Sequence, residues 1–187
     1  MGLNFLHFQI RPGRPVPVLL DPRLGLGQPW RLDTKHIEEG IIMETQILAP
    51  AAVLVLWSLL MLLWMGATRF PAIAKSGMDI KNVPPGGRGV NLDGVLPDNV
   101  QWKSHNYTHL MEQPTIFYPT VIILAMIGQG HGTNVTLAWA YVALRIAHSL
   151  WQSTVNTIMP VRFGLFMAAS ACLIVLAVNA VRATLGV

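Results

Sequence analysis

The chain has 187 residues, of which 52% are hydrophobic and 12% are charged, and its formal net charge is +4. The charged residues cluster at the ends of long apolar runs, which indicates a polytopic membrane protein. A basic chain can bind nucleic acid, but this one has no basic stripe interleaved with aromatic residues, so we expect no nucleic-acid partner. The excess of Lys and Arg fits loops beside an anionic membrane leaflet. A single cysteine, Cys172, excludes a disulfide within the chain.

Residues 1–42 are rich in Pro and Arg and show no sustained hydrophobic period. We recognise no secretory signal there, because Ile10 is followed at once by Arg-Pro-Gly and no apolar segment is long enough. Two interpretations are open: the segment is a disordered extension, or the start codon is assigned too far upstream and Met43 opens the protein. In either case we expect none of these residues to carry the activity, and we place the functional domain at 43–187.

Four apolar stretches predict four transmembrane helices. The first includes Ile47 to Met65, which is almost continuously apolar, and its 19 residues at about 1.5 Å each can cross a hydrocarbon core of about 30 Å. A polar connection with several Pro and Gly residues follows at 69–99. The predicted helices span about 46–67, 100–128, 135–156 and 162–182. The predicted fold class is therefore an all-α integral membrane protein, a bundle of four transmembrane helices.

The distribution of Lys and Arg between the loops predicts the orientation in the membrane. The stretch 69–104 carries five of them, whereas the short loop at 129–134 carries none. The positive-inside rule therefore places the long first loop in the cytoplasm and both termini outside. Five Lys and Arg within residues 1–42 act against this orientation, which is a second reason to doubt that the segment belongs to the mature protein.

Ionisable residues open the second predicted helix. At helical spacing His105, His109 and Glu112 share one face, and Pro114 follows two residues later. Ionisable side chains in a membrane helix are costly, and by default they mark a functional site. Two histidines and a carboxylate could ligate a metal, but the remaining ligands would have to come from elsewhere, and the sequence has neither an HExxH pattern nor a cysteine cluster. We therefore expect no metal.

A second polar stripe lies on the third predicted helix. Its members follow one another at spacings of four, three, four and four residues: Tyr141, Arg145, His148, Gln152 and Asn156. Counted from the outer end of each helix, His148 lies about 20 Å deep and Glu112 about 24 Å, so the two stripes meet in the cytoplasmic half of the membrane. Arg145 with Glu112 could form an ion pair, which would suit a structural role as well as ligand binding. For His148, a hydrogen-bonded packing role is favoured over that of a general base.

These residues resemble the MAPEG superfamily, the membrane-associated proteins in eicosanoid and glutathione metabolism, and more closely its bacterial branch and the microsomal glutathione transferases. The similarity extends over about residues 47–182. It rests on three features in chain order: Glu112 and Pro114 before Phe117, the run from Tyr141 to His148, and the 17-residue spacing between Arg145 and Arg162. Their order across four predicted spans makes the resemblance fairly specific.

The resemblance implies a homotrimer in which glutathione lies between neighbouring subunits near the cytoplasmic face. By position, Arg162 at the start of the fourth helix would stabilise the glutathione thiolate. The peptide would be bound by polar residues of the second and third helices: His109, Glu112, Tyr141, Arg145, His148 and Gln152. An apolar electrophile dissolved in the bilayer would approach from the lipid side. Where some branches of the family have tyrosine, this chain has Gln152.

The function that the resemblance implies is that of a membrane-bound glutathione transferase or peroxidase. Such an enzyme would act on apolar electrophiles or lipid hydroperoxides, with an arginine that stabilises the thiolate. The alternative is a non-catalytic protein of the same fold that binds a lipid or a protein partner, in which Glu112 and Arg145 form only a structural pair. We expect the protein in a bacterial inner membrane.

Overall fold

The computed structural model describes residues 44–78 and 85–186, and every regular element in these ranges is helical. The predictions for residues 1–42 lie outside the described residues. The elements in chain order are a 3₁₀ turn at Thr45–Ile47, α1 at Leu48–Lys75, a 3₁₀ turn at Gly89–Leu92, α2 at Asp98–Leu110, α3 at Pro114–Met126, α4 at Gly132–Thr154 and α5 at Met159–Leu185. The described chain is thus all-α, as the sequence predicted.

The first helix is longer than predicted. α1 continues past the expected end at 67 and runs through Pro71 to Lys75. A proline inside a helix frees the carbonyl four residues before it, which here belongs to Ala67. Both Pro71 and Ala67 are exposed, so the freed carbonyl can be hydrated and the helix does not have to stop. The polar connection therefore begins at Ser76 and not at 69.

The prediction of one continuous helix over 100–128 is wrong. α2 ends at Leu110, residues 111–113 form a turn, and α3 begins with Pro114 in its first turn. Proline has no N–H to donate, and its ring would collide with the carbonyl of Leu110 if the helix continued. The first turn of a new helix is where proline is tolerated best. As a consequence, Glu112 lies in the turn between two helices.

Among the described residues, two helical segments are long and apolar enough to cross a membrane: Thr45–Lys75, with a mean hydropathy of 2.4, and Met159–Leu185, with 2.2. The second predicted span is divided into two helices of 13 residues each, and each of these extends only about 20 Å. α4 has 23 residues, but the polar side chains on its buried face lower its hydropathy. Four spans therefore remain a prediction for this chain.

α4 lies at the centre of the packing, with its largest contact on α5 and further contacts with α2 and α1. Tyr141 anchors it, because this side chain is fully buried and stacks on Phe117 of α3 with ring centroids 4.3 Å apart. Large apolar side chains on α1 and α5 stay exposed, among them Leu63 and Ile174. Such surfaces suit contact with lipid or with another subunit.

Arg69, near the end of α1, ties the polar connection to α2. Its guanidinium donates to the carbonyl of Gly89 at 2.5 Å and to the hydroxyl of Ser104 at 2.8 Å. The backbone of Gly89 comes so close that a Cβ there would lie 3.1 Å from both terminal nitrogens of Arg69. Glycine at this position therefore permits the close approach that the two hydrogen bonds need.

Before the N-terminal end of α4, the connection between α3 and α4 packs against the start of the described chain. His131 hydrogen-bonds the carboxylate of Glu44. Gly130 is buried between them, and a Cβ on it would overlap with the carbonyl oxygen of Glu44 and lie 3.1 Å from the side chain of Ile47. The fit of this loop thus depends on a residue without a side chain.

Candidate functional site

Arg145 lies in the second half of α4 and is fully buried. Its Nη2 donates to the backbone carbonyl of His109 at 2.8 Å, and its Nη1 lies 3.3 Å from Nε2 of the same histidine. α2 ends one residue later, so this carbonyl belongs to the last turn, where carbonyls lack partners within the helix. A cation is also favourable at a helix C-terminus. The buried guanidinium therefore caps α2 while it holds the imidazole.

The hydrogen bonds around His109 fix its tautomer. Arginine nitrogens can only donate, so Nε2 of His109 must accept from Arg145. The hydrogen of the neutral ring then lies on Nδ1, which donates to Oε2 of Glu112 at 2.9 Å. Both ring nitrogens of His109 are therefore in use, and this histidine links the buried arginine to a carboxylate.

The direct ion pair considered between Arg145 and Glu112 is wrong, because His109 lies between the two charges. The turn at 111–113 carries Glu112 off the helix face on which the sequence predicted it, and its side chain is 61% exposed. A carboxylate this exposed keeps most of its hydration and avoids the desolvation cost of a buried pair.

A cavity of about 170 Å³ opens between the end of α2, the second half of α4 and the beginning of α5. It is lined by two histidines, an arginine and three apolar side chains: His109, His148, Arg162, Met159, Phe163 and Phe166. The two imidazole rings lie side by side with centroids 5.0 Å apart, and the ring of His109 lies 5.5 Å from that of Phe166. Pockets for drug-sized ligands are commonly about 300–1,000 Å³. This cavity can therefore receive one end of such a ligand.

The turn between α4 and α5 positions Arg162. Its Nη1 donates to Oδ1 of Asn156 at 2.9 Å. The sequence predicted Asn156 as the last member of the α4 stripe, but the helix ends at Thr154 and Asn156 has a φ of 45°, in the left-handed region. Asparagine tolerates this conformation better than most residues because its short side chain can hydrogen-bond locally. Asn156 is thus a positioning residue that helical spacing assigned to the wrong element.

His148 has a different environment from its neighbour His109. It is only 3% exposed. No hydrogen bond joins either ring nitrogen to another described residue, and the ring lines the cavity. Buried polar groups in proteins nearly always have a partner. An imidazole that is buried but open to a cavity is therefore available to whatever enters that cavity.

Tyr141 and Gln152, which were also predicted for the site, do not line the cavity. The hydroxyl of Tyr141 donates to Oε1 of Gln113 at 3.4 Å, and Nε2 of Gln113 donates to Ser170 at 2.7 Å. Tyr141 therefore belongs to a hydrogen-bonded part of the core. Gln152 is buried, and its Oε1 has no partner among the described residues.

Three of the seven predicted site residues, His109, His148 and Arg162, thus meet around one cavity. Arg145 and Glu112 reach it only through their hydrogen bonds to His109. The arrangement combines a cation, an imidazole with both nitrogens occupied, an imidazole with both nitrogens free, and an apolar wall. Chemically, it suits a ligand that is anionic at one end and apolar beside it.

Five buried polar residues of α2 and α4, of which only Gln152 was predicted for the site, form a second group, which we call the polar seam. The seam consists of Gln101, Asn106, Ser149, Gln152 and Ser153, all buried. Ser149 accepts a hydrogen bond from Nδ2 of Asn106 at 2.8 Å. A signal for it was present in the sequence, because Ser149 and Ser153 follow Arg145 at successive spacings of four and share its buried face.

Several acceptors of the polar seam have no partner within the described part of the chain. They are Oε1 of Gln101, Oδ1 of Asn106 and Oε1 of Gln152, and the hydroxyl of Ser153 is also unpaired there. Each buried polar atom left unpaired costs about 1–3 kcal/mol. The seam can therefore accept hydrogen bonds from beyond the described residues, for example from water, a ligand or another subunit.

Across residues 44–78 and 85–186, no group of three His, Cys, Asp or Glu side chains is close enough together to hold a metal ion. His109 in particular has both nitrogens occupied by protein groups. The absence of a metal from the working protein stays a prediction.

Comparison with known protein families supports the resemblance seen in the sequence. The profile of the MAPEG family matches residues 47–182, which is more than two thirds of the chain and agrees with the range over which the sequence resembles that family. No curated protein and no solved structure matches the chain. The matched range contains the whole cavity and the polar seam. Together with the two long apolar helices, the match shows that this chain belongs to the MAPEG family.

Proposed function

We propose that the protein is a membrane-bound glutathione transferase or peroxidase that acts on apolar electrophiles or lipid hydroperoxides. Membership of a family associated with glutathione and eicosanoid metabolism in membranes supports the class of activity. The observation that carries the proposal for this chain is the cavity in which Arg162 meets two imidazoles beside Phe163 and Phe166. A guanidinium at this place can stabilise the negative charge of a thiolate.

The proposed role of Arg162 follows from its charge and its anchorage. A cation close to a thiol favours the thiolate, which is the nucleophilic form. Asn156 holds the guanidinium from one side, so that it stays directed at the cavity. In a small and mostly apolar cavity a charge acts more strongly than it would in water. Arg162 is therefore the residue that we assign to thiolate stabilisation.

The proposed site for the rest of glutathione extends beyond the cavity. A tripeptide needs more space than about 170 Å³, so most of it would lie outside, against polar groups of α2 and α4. The side chains that we assign to glutathione as a whole are His109, Glu112, Tyr141, Arg145, His148 and Gln152, of which His109 and His148 line the cavity and therefore lie at the thiol end. The unpaired acceptors of the polar seam would be satisfied by such a ligand and by a neighbouring subunit, which supports the proposed homotrimer.

The membrane arrangement is part of the proposal. We place four spans across a bacterial inner membrane, with the long first loop in the cytoplasm and both termini outside. Met159 and Phe163 line the cavity and are 63% and 61% exposed in the single chain. Apolar walls that are open on the bilayer side would admit an electrophile dissolved in lipid.

The test uses the full chain purified in detergent. We expect it to bind glutathione by calorimetry and to conjugate a chloronitrobenzene with it. Arg162→Ala should lower kcat/KM by about 100-fold or more, which is the usual effect of removing a group that stabilises developing charge, without changing the oligomeric state measured by light scattering. Arg182→Ala, in the last turn of the same helix, is the matched control and should leave turnover unchanged.

One observation favours the alternative function. Both terminal nitrogens of Arg145 are engaged with His109 inside the chain, which is the arrangement of a structural cap. If the purified protein neither turns over nor binds glutathione, a non-catalytic MAPEG-family protein that binds a lipid or a protein partner is the better description. In that case the cavity would receive part of a lipid.

A further inference from the structure

We propose that His148 is a second catalytic residue, which donates a hydrogen bond to the oxygen that leaves when a hydroperoxide is reduced, while Arg162 holds the thiolate. This inference rests on the proposed function and narrows its substrate class. It favours acceptors in which negative charge develops on oxygen, such as lipid hydroperoxides, over acceptors that release a halide.

The contrast between the two histidines carries the inference. His109 is fully engaged, because Nε2 accepts from Arg145 and Nδ1 donates to Glu112. His148, whose ring centroid lies 5.0 Å away, is only 3% exposed and makes no hydrogen bond to another described residue. Only one of the two imidazoles can therefore serve a ligand. It shares its cavity with the arginine assigned to the thiolate.

A neutral imidazole is sufficient for this role. It carries one N–H donor in either tautomer. A donor held in place before the reaction, in a site that excludes most water, stabilises developing charge without reorganisation. Burial and the packing of its ring beside Phe166, at 6.5 Å between centroids, restrict the movement of His148.

The reduction of one hydroperoxide consumes two glutathione molecules. The thiolate attacks the terminal oxygen of the hydroperoxide, so a sulfur–oxygen bond forms and the oxygen–oxygen bond breaks. The electron pair goes to the departing alkoxide, which receives the hydrogen bond from His148. The proton that the thiol lost on ionising returns to the alkoxide through water and gives the alcohol. A second glutathione then reduces the sulfenic acid, and the products are the disulfide and water.

The shape of the cavity agrees with this substrate class. With a volume of about 170 Å³, it can take a hydroperoxide group and the sulfur but not a lipid chain. Met159 and Phe163, which line it, are largely exposed on the outside of the single chain. A chain attached to the hydroperoxide could therefore remain in the bilayer while its reactive end enters.

The experiment compares two reactions in one protein. The full chain is assayed with glutathione and either cumene hydroperoxide, which releases an alkoxide, or a chloronitrobenzene, which releases chloride. His148→Leu and His148→Phe both remove the donor, and using two replacements guards against a folding defect in one. His148→Gln restores an N–H at a similar position. His131→Gln, at the N-terminal end of α4, is the matched control.

We expect the ratio of peroxidase to conjugation kcat/KM to fall about tenfold or more in both variants without a donor. It should recover at least in part in His148→Gln and stay unchanged in His131→Gln. A ratio that stays within twofold in both donorless variants of an active enzyme overturns this inference alone. Absence of turnover and of glutathione binding in the unmodified protein overturns the proposed function, and this inference with it.

Discussion

The two ends of α4 treat buried polar groups in opposite ways. At its N-terminal end Asn134 uses both sides of its amide, since Nδ2 donates to the carbonyl of Gln129 at 2.9 Å and Oδ1 accepts from Asn179 at 2.8 Å. Near its C-terminal end, Gln152 and Ser153 are equally buried but leave polar atoms without partners in the described chain. The buried amide at the first end finds all its partners within the chain, whereas the polar groups at the second end do not find theirs among the described residues.

This difference distinguishes polar groups of α4 that stabilise the fold from polar groups of α4 that are available for binding. A satisfied polar group holds its neighbours in place, and removing it costs stability. An unsatisfied one carries a cost that natural proteins keep where a ligand, water or partner recovers it. His148 and the polar seam belong to the second class. Substitutions of paired polar groups should therefore lower stability, whereas substitutions of His148 and the polar seam should lower activity first.

The largest loss of stability is expected from Gly130→Ala. The new methyl group would overlap with the backbone carbonyl of Glu44, and a backbone atom cannot move aside as the end of a side chain can. We expect a loss of about 2–3 kcal/mol, which is the usual cost of overpacking, measured as a lower midpoint of thermal unfolding in detergent.

Gly164→Ala is the control for this substitution, because a Cβ at Gly164 meets no heavy atom within 4 Å in the single chain. Alanine favours a helix over glycine by about 1 kcal/mol, so the midpoint should stay constant or rise. An unchanged midpoint for Gly130→Ala would show that the loop at 129–131 is not packed against Glu44 in the membrane.

The next largest effect is expected at His109. In His109→Ala the buried guanidinium of Arg145 keeps the backbone carbonyl but loses the imidazole, and we expect the protein to lose about 2 kcal/mol of stability because one partner of a buried charge is removed. Adding Arg145→Met should recover part of the loss, since the unpaired charge disappears. The double-mutant cycle should give a coupling of about 1 kcal/mol or more. Strictly additive losses would show that the two side chains do not interact.

Much of the fold was predictable because hydrophobic length is a strong signal. The two long apolar helices, α1 and α5, were both predicted, with errors only at their ends. The break at 111–113 was missed, although Pro114 was noted, because proline can be carried within a membrane helix when neighbours satisfy the freed carbonyls. Here the chain starts a new helix at Pro114. Composition alone does not distinguish these two outcomes.

The sequence predicted which residues belong to the site better than it predicted what each of them does. Helical spacing placed Arg145 and His148 on one face, and the family motif added Arg162. Spacing could not show that His109 would separate Arg145 from Glu112, because that depends on where α2 stops. Nor could it show that Asn156 lies in a left-handed turn beyond α4. Both errors arose at helix ends, where backbone direction changes and periodicity no longer applies.

A smaller effect, on activity, is expected at Asn156. Asn156→Gly keeps the left-handed backbone without strain but removes the Oδ1 that accepts from Arg162. We expect kcat/KM for conjugation to fall about tenfold, the equivalent of about 1.4 kcal/mol, with little change in the unfolding midpoint. Asn156→Asp keeps an acceptor at the same place but adds a negative charge that partly offsets Arg162, so its activity should lie between that of Asn156→Gly and that of the unmodified protein. Equal activity of the two variants would show that Arg162 needs no anchor.

The smallest effect is expected at the junction between α1 and α2. In Gly89→Ala the new methyl group would lie 3.1 Å from the guanidinium nitrogens of Arg69, but this is the far end of a flexible side chain, which can shift by a few tenths of an ångström. The bonds from Arg69 to Gly89 and Ser104 would weaken without breaking, at a cost of about 0.5–1 kcal/mol.

Because this loss is local, it should be measured as faster proteolytic cleavage of the connection between α1 and α2, with thermal unfolding nearly unchanged. Ser104→Ala removes one of the two bonds outright and should accelerate cleavage by a similar or larger factor. Glutathione turnover should stay the same in both variants, because neither residue lines the cavity. A loss of turnover in Gly89→Ala would instead couple this junction to the site, and the division between structural and functional polar groups would no longer hold.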